Sequence, residues 1–265
     1  MKIVSWNVNG LRSVLGQTAK KTDPPKENKL FKFIETVQPD ALCLQEIKAF
    51  EEQINPDLRA PEGYTAYYNS CQVKAGYSGT AVFTKIEPKE NSCGIGIPEF
   101  DGEGRIQRLL YPDFALYNIY FPNGSRGMER VDYKLRFYDS LFKSIEEDRK
   151  SGINAVVCGD FNTARTELDL ANPKSNEKTS GFLPIEREKL EEIFSLGYVD
   201  AFRIFNHEGG QYTWWDARFK SRERNAGWRI DYFLVDKDLA PRVVSCAHLT
   251  QVYGSDHCPI MLIIE

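Results

Sequence analysis

An α/β or α+β fold, with β-sheets covered by helices, is what this sequence predicts, and three observations predict it. Strand-sized apolar runs recur along the whole chain. Stretches of helical period fall between them. No linker-like, low-complexity or repeated segment divides the 265 residues, so a single domain over 1–265 is expected.

The first expected strand is Lys2–Val8, which alternates and carries Ile3 and Val4. Ala41–Leu44 is a short run of the buried type, and Gly79–Thr84, Phe114–Phe121, Asn154–Cys158, Arg229–Val235 and Cys258–Ile264 are similar. Leu30, Phe33, Ile34 and Val37 have helical spacing and stop before Pro39. Val131, Leu135, Tyr138, Phe142 and Ile145 recur at four and three residues, closed by Lys150 and Gly152. Pro184 opens a third helix through Leu190, Ile193 and Phe194, which stops at Gly197. Strands and helices alternate early, whereas the middle and the C-terminal third are strand-rich.

Hydrophobic residues make up 42% and charged residues 27% of the chain, which supports a packed core rather than disorder. Thirty-four Lys and Arg against 38 Asp and Glu give a net charge of −4. Taken alone, that balance weighs against a nucleic-acid partner, because phosphate binding leaves a basic footprint. The cysteines at 43, 71, 93, 158, 246 and 258 form no C-x-x-C pair, which argues against a zinc cluster or a disulfide framework. Cys43 and Cys158 lie in apolar runs and are expected as buried thiols. The N-terminal MKIVSWNVNG is too polar for a signal peptide, and Ile260–Ile264 is too short to span a bilayer. A reduced, soluble, intracellular protein with no membrane partner is the expectation.

The apolar runs share one feature: they end in carboxylates and amides. Trp6-Asn7-Val8-Asn9, Leu44-Gln45-Glu46, Cys158-Gly159-Asp160-Phe161-Asn162, Ile230-Asp231 and Ser255-Asp256-His257 all follow this pattern. A single Asp or Asn at a strand end is usually a turn cap. Five such ends together supply the parts for metal-assisted phosphoryl chemistry. Carboxylate oxygens suit Mg²⁺, a second carboxylate can take a proton from water, and an imidazole backed by a carboxylate can stabilise phosphoryl charge. Of the three histidines, His207 sits in a polar turn and His248 in a strand-like run. His257, after a Gly-Ser turn and Asp256, is the candidate.

The motifs SWNVNGLR (5–12), LCLQEIK (42–48), YNIYFPNG (117–124), GDFN (159–162), NPKSN (172–176), GWRIDYF (227–233) and GSDHCP (254–259) stand in order over nearly the whole chain. In this the sequence resembles the exodeoxyribonuclease III / apurinic-apyrimidinic (AP) endonuclease family of the wider endonuclease–exonuclease–phosphatase superfamily. The resemblance implies a four-layer α/β sandwich, two facing mixed β-sheets flanked by helices, with the site at one end of the sheets. It implies Mg²⁺, with Mn²⁺ as a substitute, and a principal ligand at Glu46 with Asn7 in the same cluster. It assigns Asp160 to activation of water, Asn162 to the scissile phosphate, and His257, paired with Asp256 and supported by Asp231, to a phosphate oxygen. Tyr120 faces the phosphate and leaving group. Asp160, Asn162 and Asp256 are ligands if a second metal binds. Asn123, Arg126 and Asn176 touch DNA, and Trp214, Trp228 and Ile230 wall the pocket for an extruded abasic sugar.

The implied reaction is hydrolysis 5′ to an abasic site in double-stranded DNA, with 3′→5′ exonuclease and 3′-phosphodiesterase side activities at blocked 3′ ends. A monomer in the cytoplasm, associated with the nucleoid, or in the nucleus is implied as well. Departures are Asn9, which is acidic in some relatives, and Thr179, which is Asn in some. The segment 16–28 is long and carries Lys20, Lys21 and Lys26, as a surface loop or an added DNA contact. Residues 212–229 carry five basic and five aromatic side chains with a local charge of +3, so the whole-chain charge hides a stretch suited to DNA. The alternatives are a phosphatase or phosphodiesterase of the superfamily acting on lipid or inositol phosphates, and a non-catalytic nucleic-acid-binding relative. NPKSN, GWRIDYF and the Trp-rich stretch oppose the first; the complete set of candidate catalytic residues opposes the second.

Overall fold

In the computed structural model, residues 1–17 and 26–265 are described. Lys20 and Lys21 of the long segment therefore lie outside the described residues, and Lys26 is exposed.

Twelve strands are formed among the described residues. They are β1 (Lys2–Asn7), β2 (Ala41–Gln45), β3 (Thr65–Asn69), β4 (Thr80–Thr84), β5 (Glu90–Cys93), β6 (Ile106–Leu110), β7 (Phe114–Tyr120), β8 (Asn154–Asp160), β9 (Tyr198–Asp200), β10 (Asp231–Asp236), β11 (Val243–His248) and β12 (Ile260–Ile264). They make two six-stranded sheets, ordered β11-β12-β1-β2-β4-β3 and β5-β6-β7-β8-β10-β9. Each sheet has one parallel pair at its centre, β1 with β2 and β7 with β8, and antiparallel pairs elsewhere. The mixed sheets are as expected.

Alternation along the central strands divides the side chains between two layers of core. Ile3, Cys43, Val82, Leu116, Val156, Cys158, Phe233 and Leu262 fill the space between the sheets. Their neighbours Val4, Leu42, Leu44 and Phe83 face outward onto Leu30, Phe33 and Ile34 of the helix Lys29–Val37. Across the molecule, Ala115, Tyr117, Val157 and Leu234 pack on Phe137, Leu141 and Ile145 of the helix Met128–Lys150 and on Leu190 and Ile193 of the helix Pro184–Ser195. Both faces of each sheet are thus buried, giving the four layers expected. Each large apolar side chain so removed from water contributes about 1.5–3 kcal/mol. All six cysteines are free, and Cys43 and Cys158 are fully buried, as their apolar surroundings predict.

The three expected helices form, with sharper limits. Asn28 caps the first, its Oδ1 accepting the Phe31 N–H at 3.0 Å, and Gln38 ends it in the left-handed region just before Pro39. The second starts at Met128, a turn before the expected apolar stripe. No helix among the described residues is long and apolar enough to cross a membrane.

Candidate active site

Sheet topology explains why the polar strand ends meet. β1 and β2 are parallel with Asn7 opposite Gln45, so Glu46 leaves the sheet beside Asn7. β12 runs antiparallel to β1, which returns Asp256 and His257 to that same edge. In the second sheet Asp160 lies opposite both Tyr120 and Asp231. The Trp6 indole N–H donates to the His257 carbonyl at 3.2 Å and ties the last turn to β1. The glycine of GDFN is required by packing: at Gly159 a Cβ would lie 1.8 Å from the Ile119 carbonyl oxygen of β7.

Asn7, fully buried, links carboxylates from the two sheets. Its Nδ2 donates to Glu46 Oε2 at 3.0 Å and to Asp160 Oδ2 at 2.9 Å, while its Oδ1 accepts the Asn9 N–H at 2.9 Å. Glu46 has φ 56° and Asn162 φ 51°, both in the left-handed region that side chains other than Gly and Asn occupy at a cost of about 1–2 kcal/mol. The Gly10 N–H bond to the Glu46 carbonyl at 2.8 Å holds the first of these turns. Lys48 Nζ lies 2.7 Å from Glu46 Oε1 and donates to Asn9 Oδ1 at 2.5 Å. Asn162 Nδ2 donates to the Phe121 carbonyl at 2.9 Å and to Asp160 Oδ2 at 3.2 Å, and its Oδ1 accepts from Asn123 at 2.9 Å.

The imidazole partner differs from the expectation. His257 Nδ1 stands 2.9 Å from Asp231 Oδ2, and Nε2 stands 3.8 Å from Asp160 Oδ2. Asp256, expected to pair with His257, instead accepts from Trp214 Nε1 at 3.0 Å and Asn9 Nδ2 at 2.9 Å. Asp256 lies in the turn before β12, where these two donors hold its carboxylate on the cavity lining. Asp231, opposite Asp160 in the ladder, is the carboxylate within reach.

Burial alone would lower the His257 pKa, but Asp231, Asp160 and Asp256 outweigh it and raise it to about 10. The ring is therefore an imidazolium at neutral pH. Burial raises Asp160 to about 7, with His257 opposing and Asp231 adding to the shift. Burial would also raise Asp256, yet His257 and the Trp214 and Asn9 hydrogen bonds bring it below its ordinary value. Tyr120 is pushed well above its ordinary value by burial and by Glu46, so its phenol keeps its proton. The Arg105 guanidinium lies 4.6 Å over the Tyr120 ring and donates to the Tyr120 carbonyl at 2.9 Å.

This donor set fits a hard divalent cation. Glu46, Asp160 and Asp256 present their carboxylates to one cavity, whereas His257, within 4.8 Å of Asp160 and Asp231 but protonated and tied to Asp231 at Nδ1, is not a ligand. Asn7 is otherwise disposed: its amide nitrogen faces the two carboxylates and its oxygen takes a backbone N–H, so it orients the carboxylates.

The cavity measures about 690 Å³ and is lined by Glu46, Tyr120, Asn123, Asp160, Asn162, Asn176, Trp214, Trp228, Ile230, Asp256 and His257 among others. Of the residues expected from sequence, Asn7 and Asp231 lie behind this lining, and Arg126 is exposed beyond it on the loop after Asn123. The apolar wall is built by Trp214 and Trp228 edge to face at 6.4 Å, with Ile230 beside them and Leu170, Ala164 and Phe182 behind. Thr179 stands on the lining as well.

The basic and aromatic stretch divides in two. Arg229 is buried, its Nε 2.6 Å from Asp169 Oδ1 and its Nη2 2.7 Å from Asp200 Oδ2, so it does not face solvent. Arg222 caps the carbonyls of Thr250 and Val252 and lies over Trp215. Tyr212 and Trp215 are core. Arg218, Lys220 and Arg224 remain exposed, Arg218 paired with Asp216. The local charge of +3 therefore overstates what the surface presents. Lys48, two residues after Glu46 and within the LCLQEIK motif, is a cavity residue that the sequence reading did not single out.

Comparison with known proteins agrees with this geometry. The endonuclease/exonuclease/phosphatase family profile matches residues 4–257. An exodeoxyribonuclease of Bacillus subtilis is 42% identical over 267 residues, covering all of both chains. A DNA-(apurinic or apyrimidinic site) endonuclease of Dictyostelium discoideum is 40% identical over 268 residues, covering this chain fully and 71% of its own length. Among solved structures, an AP endonuclease from Leishmania major superposes with a TM-score of 0.88 at 32% identity, covering all of this chain and 87% of that one.

Proposed function

This chain belongs to the endonuclease/exonuclease/phosphatase family, within its exodeoxyribonuclease and AP endonuclease branch, and from that premise we propose a residue-level account of its chemistry. It is a DNA-repair nuclease, a phosphodiesterase that cuts the backbone 5′ to an abasic site, with 3′→5′ exonuclease and 3′-phosphodiesterase activities of the same site.

The observation that carries the assignment of roles is the shared imidazole. His257 is charged and held between Asp231 and Asp160 at the floor of a cavity with an indole wall. A bound Mg²⁺, for which Mn²⁺ can substitute, supplies Lewis-acid stabilisation of phosphoryl charge; Glu46, Asp160, Asn162 and Asp256 are the residues to hold it, with Asn7 keeping Glu46 and Asp160 in register. Asp160, its carboxylate held by the Asn7 amide and the Asn162 N–H, accepts a proton from the attacking water. Asn162 and Asn123, joined by their own hydrogen bond, orient the scissile phosphate. The His257 imidazolium donates from Nε2 to a non-bridging phosphoryl oxygen, and the protonated Tyr120 phenol donates on the leaving-group side. Water's oxygen bonds to phosphorus as the phosphorus bond to the 3′-oxygen breaks, leaving a 3′-hydroxyl and a 5′-deoxyribose phosphate. Trp214, Trp228 and Ile230 form the wall against which the extruded sugar is seated. Asn176, on the cavity lining, and Arg126, exposed beyond it, contact the DNA backbone. The substrate is double-stranded DNA with abasic sites or blocked 3′ ends. The protein acts as a monomer, in the cytoplasm with the nucleoid or in the nucleus.

The test is incision of an end-labelled duplex carrying one abasic site, with and without Mg²⁺, with 3′-end degradation followed in parallel. Metal-dependent cleavage 5′ to the site is expected; cleavage of inositol phosphates instead would overturn the assignment.

A further inference from the structure

The catalytic loop and the pocket wall share one anchor that touches neither the cavity nor solvent. Lys134, on the helix Met128–Lys150, and Glu186, in the first turn of the helix Pro184–Ser195, are both completely buried. Lys134 Nζ donates to the Asn162 carbonyl at 2.7 Å and to Glu186 Oε1 at 2.7 Å. The same Oε1 accepts from Ser180 Oγ at 3.0 Å, and Oε2 accepts the N–H of Gly181 at 2.5 Å and of Leu183 at 3.2 Å.

Gly181 in turn sits between the two functional parts. A Cβ built on it would lie 3.1 Å from the Asn162 carbonyl oxygen and 3.3 Å from the Trp228 ring. One ion pair thus joins the loop that carries Asn162 to the segment that backs Trp228. An apolar pair would fill this place at lower desolvation cost, so the ionic pair calls for a reason other than stability.

We propose that Lys134 and Glu186 are positioning residues that set Asn162 relative to the Gly181–Trp228 wall. Seating a base-free sugar against that wall and aligning its phosphate on Asn162 then become one event. This inference rests on the abasic-site reading above. Neither residue touches substrate; both act through the loops they hold.

The test uses the full chain with Lys134→Met/Glu186→Gln. Methionine keeps the volume of the lysine stem, and glutamine keeps an acceptor for the Gly181 and Leu183 N–H groups, while the tie to Asn162 is lost. The variant is expected to melt cooperatively and to bind abasic duplex with KM within about threefold of the parent. Its kcat should fall about thirtyfold and its ratio of abasic to intact-DNA cleavage about tenfold, as sub-ångström misplacement of a reacting group allows. A melt like the parent's with kcat and ratio within about twofold overturns the proposal, as does a loss of kcat with the ratio unchanged. If the double variant does not fold, Glu186→Gln alone decides. It keeps an acceptor for the Gly181 and Leu183 N–H groups and removes the charge that holds Lys134, so the ratio should fall about threefold; an unchanged ratio overturns the proposal. Absence of abasic incision by the unaltered protein would instead overturn the reading beneath it.

Discussion

Asp160 and Asp231 face each other in the β8–β10 ladder, and the His257 ring is shared between them, 2.9 Å from Asp231 at Nδ1 and 3.8 Å from Asp160 at Nε2. The arrangement divides the labour of two carboxylates by position. Asp231 holds the ring in orientation and charge, which leaves Asp160 beside Nε2 and open to the cavity.

That division predicts unequal effects of two isosteric changes. Asp231→Asn removes the charge that stabilises the imidazolium and should lower single-turnover incision by at least about 10²-fold, with DNA affinity within about twofold. Asp256→Asn keeps an acceptor for one of its two donors, Trp214 and Asn9, which bond different oxygens, and should cost no more than about tenfold. Single-turnover rates with binding measured separately check the order; a reversed order would return His257 to Asp256.

Glu46 is the cavity carboxylate set by an unusual backbone turn, and Asn7 and Lys48 hold its two oxygens. Glu46→Gln should therefore raise the Mg²⁺ concentration for half-maximal incision by about tenfold or more, and added metal should recover much of the rate. EDTA should silence the unaltered protein. A Mg²⁺ titration of both proteins checks this, and an unshifted midpoint would remove Glu46 from the ligand set.

The parts legible in the sequence are those whose signal is local. Ile3 and Val4 of β1, or Leu42 and Cys43 of β2, are buried on both faces and read as strands. β3 (TAYYN) and β5 (ENSC) lie at sheet edges with partly exposed side chains, so apolar alternation does not mark them, and β9 has only three residues. β8 runs on through Gly159 and Asp160 because both neighbouring strands continue the ladder there. Site residues were visible as polar strand ends. Their partners were not, because which carboxylate meets His257 depends on register between strands far apart in sequence. Arg229 shows the same limit: its charge suggested DNA, but Asp169 and Asp200, 60 and 29 residues earlier, enclose it.

Trp228 meets Trp214 and Phe182 edge to face and touches the Gly181 turn, so its indole sets the size of the pocket. Trp228→Ala should open the wall enough to admit a base. The abasic-to-intact cleavage ratio should fall by about 10²-fold, mainly through slower abasic incision and partly through faster cutting of intact DNA. Parallel assays on matched duplexes check it; a preserved ratio would mean that the wall does not discriminate.

Stability should depend on Asp169 with a defined sign. Burial would raise its pKa, but Arg229 and Arg203, each 2.6 Å away, bring it below its ordinary value. A carboxyl whose folded value lies below its unfolded value, about 3.9, contributes stability that is complete above that pH and is lost as pH falls through the folded value. Asp169→Asn leaves the buried Arg229 with Asp200 alone and should cost about 3 kcal/mol at pH 7. As pH drops below about 4 toward the folded value, the unaltered protein progressively loses this contribution and the asparagine variant has none to lose, so the gap between them should narrow. Urea denaturation at pH 7 and at pH 3.5 measures both differences. A gap that stays constant with pH would show that Asp169 acts through shape and not through charge. Because the Arg229 backbone joins Trp228 to Ile230, the same variant should also loosen the pocket wall, and its abasic-to-intact ratio should fall with its stability.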